Sequence, residues 1–237
     1  MTGVKFVLRG ETAFFKKPDV NTYLYFSYGQ IHKVALLGLL GAILGLEGYS
    51  QQSEAEYPKF YEVLQDIRVA IVPLACKGMF PTKVQTFNNS VGYASRQEGG
   101  NLIVRQQWID KPAWEIYICD DGQPYMDNLI NSLVERKTKF IPYLGTNDHF
   151  ATIEQVEKVE FSPVEEFVQV CSLCPKTRVE ISDPDEWDIT QYFKYEEKLP
   201  YKLDKLYNQY ELETFICTNQ QLKGELFKAK EKYIHFI

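Results

Sequence analysis

Hydrophobic and polar residues alternate in four stretches of this chain, and alternation with a period of two predicts β-strands. The first stretch, residues 4–9, places Val4, Phe6 and Leu8 on one face. The others are 66–73, then 114–119, which ends at Asp120-Asp121-Gly122, and 153–161, where the alternation is irregular. These stretches predict four strands of a sheet.

Two segments have the character of helices. The apolar run 34–46 contains Gly38, Gly41 and Gly45, which would let the backbone of a helix approach a sheet closely. It is too long for a strand and shorter than the roughly 20 residues of a membrane span, so it predicts a buried helix. Residues 126–134 have apolar positions at helical spacing. The resulting order, β-α-β-(hairpin)-β-α-β, predicts an α+β fold with a ferredoxin-like core.

The hairpin in this order comes from two more alternating runs, 82–87 and 102–108. The connection 88–101 is rich in Asn, Ser and Gly and exceeds the roughly two to five residues of a tight hairpin. Such a tip is either a surface loop or a binding element. Tyr93 and Arg96 favour binding, since one can stack on a base and the other can pair with phosphate.

The composition shifts towards acidic residues after Pro163. We therefore divide the chain into a core domain, 1–161, with its hairpin at about 82–108, and a smaller β-rich C-terminal lobe, 162–237. In this lobe, 212–217 predicts a strand and 222–232 a short final helix.

The formal net charge of −6 argues against a free-standing nucleic-acid binder, but the charge is unevenly distributed. Residues 1–45 and 76–111 each hold an excess of Lys and Arg, whereas 151–237 holds an acidic excess. Local potential governs a binding groove. The two basic stretches can therefore hold phosphate, or be ordinary solvated charge, while the acidic lobe is better suited to facing solvent or a basic partner.

The candidate chemical motifs are few. Cys171 and Cys174 form a CxxC, but the sequence has no second such pair, so we expect no structural metal site and no cofactor. The five cysteines and the absence of a secretory signal lead us to expect reduced thiols in a cytoplasmic protein without a membrane anchor. His32 lies beside Tyr28 and Lys33, a trio that can either cleave RNA without metal or contact phosphate or solvent.

Several motifs resemble those of one family in their order and spacing. They are 6–10 (FVLRG) with 13–18 (AFFKKP), 36–45 (LLGLLGAILG) after Ser27-Tyr28, 142–145 (PYLG) with 147–151 (NDHFA), and 210–215 (YELETF). Together they resemble the CRISPR-associated Cas-five proteins of the RAMP superfamily, type I-B branch. The glycine spacing in 36–45 is the most specific feature.

The resemblance implies an RRM-related core with a β-hairpin thumb. It further implies a non-catalytic RNA-binding and assembly subunit of the type I surveillance complex Cascade. Such a subunit holds the 5′ handle of the guide RNA, joins the backbone and large subunits, and meets target DNA only indirectly. One branch of the family, type I-C, cleaves repeat RNA itself, so a metal-independent endoribonuclease remains the alternative. A protein-only interaction module is a third possibility.

The residues that we expect to contact RNA are basic, aromatic or histidine side chains in the loop before the first helix, the hairpin and the 142–151 motif. They are Arg9, Lys16, Lys17, Tyr28, His32, Lys33, Lys83, Tyr93, Arg96, Arg105, Tyr143 and His149.

Overall fold

The computed structural model describes residues 1–19, 23–52, 54–183 and 191–237. Within these ranges the helices are α1 (Lys33–Leu44), α2 (Lys59–Leu64) and α3 (Met126–Glu135). The strands are β1 (Thr2–Arg9), β2 (Thr12–Ala13), β3 (Val69–Pro73), β4 (Thr82–Asn88), β5 (Ile103–Asp110), β6 (Ala113–Asp120), β7 (Thr152–Glu160), β8 (Ser162–Val164), β9 (Val168–Gln169), β10 (Cys174–Pro175), β11 (Val179–Ile181), β12 (Lys194–Leu203), β13 (Tyr210–Thr218), β14 (Gln221–Gly224), β15 (Leu226–Ala229) and β16 (Lys232–Ile234).

The central element is a four-stranded antiparallel sheet in the order β3-β6-β1-β7. Helices α1 and α2 connect β1 to β3, and α3 connects β6 to β7. The four strands predicted from alternation are therefore confirmed. The molecule has a mixed α/β fold of mostly antiparallel sheets with few helices.

The irregular alternation of 153–161 has a local cause. The register between β1 and β7 shifts between Lys5 and Val7, which pair with Glu157 and Glu154. Gln155 adopts a left-handed backbone conformation, with φ of 52°, inside this interval. An extra residue in one strand reverses the faces of the side chains that follow it. The apolar positions of β7 before and after the bulge therefore do not continue one alternation.

Helix α1 is the buried helix predicted from the apolar run. His32 caps its N-terminus by accepting a hydrogen bond from the Ala35 backbone N–H at 3.2 Å, and Gly45 ends it at φ of 79°. Gly41 packs closely on α2 and not, as expected, on a sheet, since a Cβ atom there would lie 2.6 Å from Cβ of Phe60. In the part of the chain that the structure describes, no helix is long and apolar enough to cross a membrane.

The C-terminal segment forms small antiparallel sheets. The predicted strand 212–217 is confirmed as part of β13. The predicted helix 222–232 is wrong, because this segment forms β14, β15 and β16. Strand β14 pairs with β9 and β11, while β15 lies between β8 and β16. Pairing with strands that are distant in sequence overrides the local helical preference.

The C-terminal segment also packs directly on the central sheet. Ile237 and Val69 exchange backbone hydrogen bonds, at 2.8 and 3.3 Å, and Leu173 N–H donates to the Ile71 carbonyl at 2.8 Å. Leu199 and Phe215 belong to the same hydrophobic cluster as the buried residues of β1 and β6. A common core thus supports residues on both sides of position 162, and the division into two domains there stays a prediction.

A buried carboxylate connects the sheet to the last strand. Glu115 on β6 accepts hydrogen bonds from Lys5 at 2.9 Å, Tyr117 at 2.8 Å and Lys232 of β16 at 2.5 Å. Burial alone would raise the pKa of Glu115, but the hydrogen bonds from Lys232, Lys5 and Tyr117 outweigh it and lower this pKa to about 2. Glu115 therefore stays ionised and holds β16 against the sheet.

Candidate nucleic-acid interface

The predicted hairpin is confirmed as β4 and β5, which pair from Thr82–Ile109 to Asn88–Ile103. The hairpin exposes several large apolar side chains, and Val84, Leu102 and Ile103 are each more than half exposed. Tyr93, at the tip, is 78% exposed. Exposed apolar side chains clustered on a projecting element are typical of a surface that a partner covers.

The loop before α1 extends this hairpin. Tyr25 donates its backbone N–H to the Arg105 carbonyl and accepts from Gln107 N–H, both at 2.9 Å. The ammonium of Lys16 lies 4.2 Å from the ring centroid of Tyr25, a cation–π contact. Tyr25 thus contacts Lys16 through its ring and Arg105 through its backbone. We call these three residues the loop–hairpin surface.

Lys16 also borders a cleft of about 1040 Å³ that runs along α1. Gly38 of this helix and Gly45 at its end are among the lining residues. The cleft also has partly exposed aromatic rings in its lining, those of Tyr49, Phe140, Tyr143 and Tyr210. Unstacked bases bind to such rings, so the cleft has the chemistry of a single-strand binding surface.

Six of the seven predicted basic residues fall into two groups. The seventh, Lys33, is buried at 7% exposure, and a direct phosphate contact by it does not fit this burial. Some of the six are held by carboxylates, in the ion pairs Arg9–Glu154 at 3.4 Å, Lys17–Glu197 at 3.0 Å and Lys83–Asp110 at 2.7 Å. In contrast, Lys16, Arg96 and Arg105 are exposed and form no ion pair with the residues that the structure describes. Among the predicted basic residues, these three are the most available to phosphate.

The structure differs from the sequence prediction at Tyr28, His32 and His149, which are buried. The His32 ring makes edge contacts with Phe15, Tyr28 and Tyr210. Burial lowers the pKa of His32 to about 3, so the ring is neutral at pH 7. His32 and Tyr28 therefore support the loop from below, and a direct phosphate contact by them does not fit their burial.

His149 supports the same region from the other side. Its Nδ1 lies 2.6 Å from the Thr12 hydroxyl, and its ring contacts Trp108 of β5 edge-on at 4.6 Å. Burial lowers the pKa of this histidine as well. His149 thus fixes the base of the hairpin, whereas Tyr143 from the same motif is exposed at the cleft.

Glu197 on β12 holds the loop before α1, a role that the sequence did not reveal. Its carboxylate accepts from the Gly29 N–H at 3.0 Å and from Lys17 at 3.0 Å. It therefore clamps the loop before α1 onto the C-terminal segment. Tyr49, Phe140 and Tyr210 were missed likewise, because they meet only in the folded chain.

The CxxC does not assemble a metal site in the described residues. Cys174 is fully buried, and burial raises its pKa to about 12. Across residues 1–19, 23–52, 54–183 and 191–237, no group of three or more His, Cys, Asp or Glu side chains is arranged to hold a metal ion. Cys174 pairs with Ile216 of β13 through its backbone and serves the packing of the lobe.

No protein-family model and no curated protein sequence matches the chain. Solved structures do match along nearly its whole length. A chain of a "CRISPR RNA-guided surveillance complex" has a TM-score of 0.54 at 10% identity, with 94% of this chain and 91% of that chain covered. A CRISPR protein from Archaeoglobus fulgidus has a TM-score of 0.53 at 9% identity, with 99% and 98% covered.

A third match comes from the Type III-B Cmr-beta complex bound to cognate target RNA and AMPPnP. Its TM-score is 0.53 at 14% identity, with 93% of this chain and 86% of that chain covered. These identities are too low to transfer a function, but the three likenesses agree on the architecture. The chain has the fold of CRISPR-associated proteins.

Proposed function

We propose that this chain is a non-catalytic RNA-binding and assembly subunit of a type I CRISPR surveillance complex in the cytoplasm. In this role it holds the 5′ handle of the guide RNA and joins the backbone and large subunits during antiviral defence. The motifs that resemble the type I-B Cas-five proteins support the specific branch. The fold shared with a chain of an RNA-guided surveillance complex supports the class.

The topology of the central sheet supports a RAMP-type, ferredoxin-like core. Its order β3-β6-β1-β7 with helical crossovers corresponds to a split βαβ arrangement, in which each crossover skips one strand. The β4–β5 hairpin is inserted between β3 and β6 and corresponds to the thumb implied by the resemblance. We infer that RNA lies along the hairpin side of this core.

The position of Lys16 carries the RNA-binding proposal. This lysine belongs to the loop–hairpin surface through Tyr25 and also borders the aromatic cleft. A single strand can therefore follow one path, with its phosphates near Lys16 and Arg105 and its bases against the cleft rings. Basic residues that alternate with aromatic rings are typical of proteins that hold single-stranded nucleic acid.

The burial of His32 supports a non-catalytic role. Metal-independent cleavage of RNA requires a general base within hydrogen-bond reach of the 2′-hydroxyl. His32 instead caps α1 within an aromatic cluster and has a pKa of about 3. We expect guide-RNA maturation to be performed by a separate enzyme.

Removal of the hairpin tip, residues 91–99, tests the thumb. None of these residues is buried, so we expect the shortened protein to keep its unfolding free energy within about 0.5 kcal/mol. We expect its affinity for handle RNA to fall about tenfold, because the tip loses one stacking ring and one phosphate contact. Fluorescence anisotropy with labelled handle RNA measures the affinity, and urea denaturation measures the stability.

A pair of point variants gives the matched control. The variant Tyr93→Ala with Arg96→Ala removes an exposed tyrosine and a cation from the tip, and Tyr207→Ala with Lys205→Ala removes the same chemistry from a different loop. The tip variant should weaken RNA binding and the control should not. Equal affinities of the shortened protein and the parent would make the tip a passive loop.

A further inference from the structure

Three cations surround one tyrosine ring outside the loop–hairpin surface. Lys33 Nζ, Arg178 Cζ and Lys202 Nζ lie 5.3, 5.0 and 5.4 Å from the ring centroid of Tyr201. The Arg178 guanidinium also donates to the Tyr201 hydroxyl at 3.0 Å. We call these four residues the Tyr201 cluster.

Separate parts of the fold build this cluster. Lys33 is the first residue of α1, Arg178 ends the short helical turn Lys176–Arg178, and Tyr201 and Lys202 lie on β12. The β12–β13 register skips Tyr201, because Pro200 pairs with Leu212 and Lys202 with Glu211. Tyr201 is thus a bulge residue, and bulges commonly re-aim a side chain beside a functional site.

The positive charge of the cluster is not neutralised by a direct partner. Within the described ranges, none of the three cations has a carboxylate within the 4.0 Å of an ion pair. The nearby acids are Asp66, which acts on Lys33 electrostatically, and Glu211, which faces Lys202 across the strand pair.

The uncompensated positive charge affects Lys33 most strongly, because Lys33 is only 7% exposed. Burial and then the charge of Lys202 lower the pKa of Lys33 to about 8, with Arg178 acting in the same direction and Asp66 in the opposite one. A buried cation with like charges around it is stabilised by an incoming anion. The N-terminus of α1, where Lys33 lies, adds to the attraction.

We propose that Arg178 and Lys202 form a phosphate-binding site at Tyr201, reinforced by the positive charge of the buried Lys33, and that this site takes a backbone phosphate of single-stranded RNA. This inference rests on the proposed function for the identity of the ligand. Arginine and lysine are the side chains that hold phosphate through charge-assisted hydrogen bonds. The acidic C-terminal segment, whose composition favours solvent or a basic partner, thus contributes both of the exposed ligands.

Continuity with the cleft favours RNA as the source of the phosphate. Tyr210, which lines the cleft, pairs in register with Leu203, the residue after Lys202. His32, also in the cleft lining, precedes Lys33 in the chain. The Tyr201 cluster is therefore only one or two residues along the protein backbone from the cleft lining. An RNA strand that leaves the cleft past Tyr210 would meet it next.

The test compares two double variants with equal charge changes. Arg178→Gln with Lys202→Gln removes the two exposed ligands, and Lys198→Gln with Lys228→Gln removes two exposed lysines elsewhere in the same segment. We expect the first pair to weaken single-stranded RNA binding about tenfold and the control to stay within about twofold. The slope of log affinity against log salt should fall by about 0.7 in the first pair only.

A second arm separates this site from the proposed function. Inorganic phosphate should raise the melting temperature of the parent and of the control, and raise it less in Arg178→Gln with Lys202→Gln. If the parent binds RNA and both double variants bind it equally, the site is overturned. If the parent binds no RNA, the proposed function fails, and the site survives only if phosphate still distinguishes the variants. Lys202→Gln alone, expected to cost about threefold, replaces the pair if the pair does not fold.

Discussion

Gly145→Ala should lower the free energy of unfolding by about 3 kcal/mol or more. Gly145 has φ of 95°, and a Cβ atom there would lie 1.9 Å from the Phe14 carbonyl oxygen. The neighbouring Leu144 carbonyl accepts from Phe14 N–H at 3.0 Å, so the two backbones are in direct contact. Relief of the clash must move the segment that leads to Lys16, and RNA binding should fall with stability.

Gly122→Ala is the matched control for this prediction. Gly122 also has a positive φ, 74°, but a Cβ atom there would meet nothing within 4 Å. Its replacement should cost only the backbone strain, about 1–2 kcal/mol. Urea denaturation of the two variants measures the difference. Equal losses of unfolding free energy in both variants would contradict the prediction, because they would show that the contact between Gly145 and Phe14 adds no cost beyond backbone strain.

Charge reversal on the loop–hairpin surface should have the largest effect on RNA binding. We expect Lys16→Glu with Arg105→Glu to weaken handle RNA binding about 100-fold, because two charge-assisted contacts are lost. The salt slope should fall by about 1.4, which corresponds to two phosphates. Both side chains are exposed and make no ion pair in the described residues, so the fold should be retained.

Lys158→Glu with Lys228→Glu has the same charge change and serves as its control. Lys158 pairs with Val4, at the end of β1 away from the hairpin, and both lysines are exposed. This control should bind RNA within a few-fold of the parent. A comparable loss of RNA affinity in both double variants would indicate that only the overall charge matters. It would contradict an RNA path past Lys16 and Arg105.

Lys17 is a less suitable target than Lys16, although the sequence treats them alike. Lys17 pairs with Glu197, which also accepts from Gly29 N–H. Its reversal would place two carboxylates together and disturb the loop itself. Sequence position alone could not separate the two lysines, because the partner lies 180 residues further along the chain, on β12.

The core was predictable because its strands and helices carry strong periodic signals. The strands β1 and β6 are buried on at least one face, and α1 is a continuous apolar run. The local hydrophobic pattern therefore predicts which of these residues are buried. The C-terminal strands were not predictable in this way. In 222–232, strands of three or four residues pair with β8 and β9, and no local pattern records those distant partners.

The candidate site shows the same division. The basic and aromatic residues of the loop and the hairpin are recognisable by type, and the structure brings Lys16 and Arg105 together through Tyr25. The sequence could not indicate that His32 is a buried helix cap, since its neighbours Phe15 and Tyr210 come from opposite ends of the chain. The Tyr201 cluster was hidden for the same reason.

Incubation of the purified protein with single-stranded repeat RNA in EDTA tests the central claim most directly. One sample gives both the affinity, by anisotropy, and the integrity of the RNA, by denaturing electrophoresis. We predict salt-dependent binding with the RNA left intact. Intact RNA without binding would contradict the RNA-binding role, and cleavage of the repeat would replace it with the endoribonuclease.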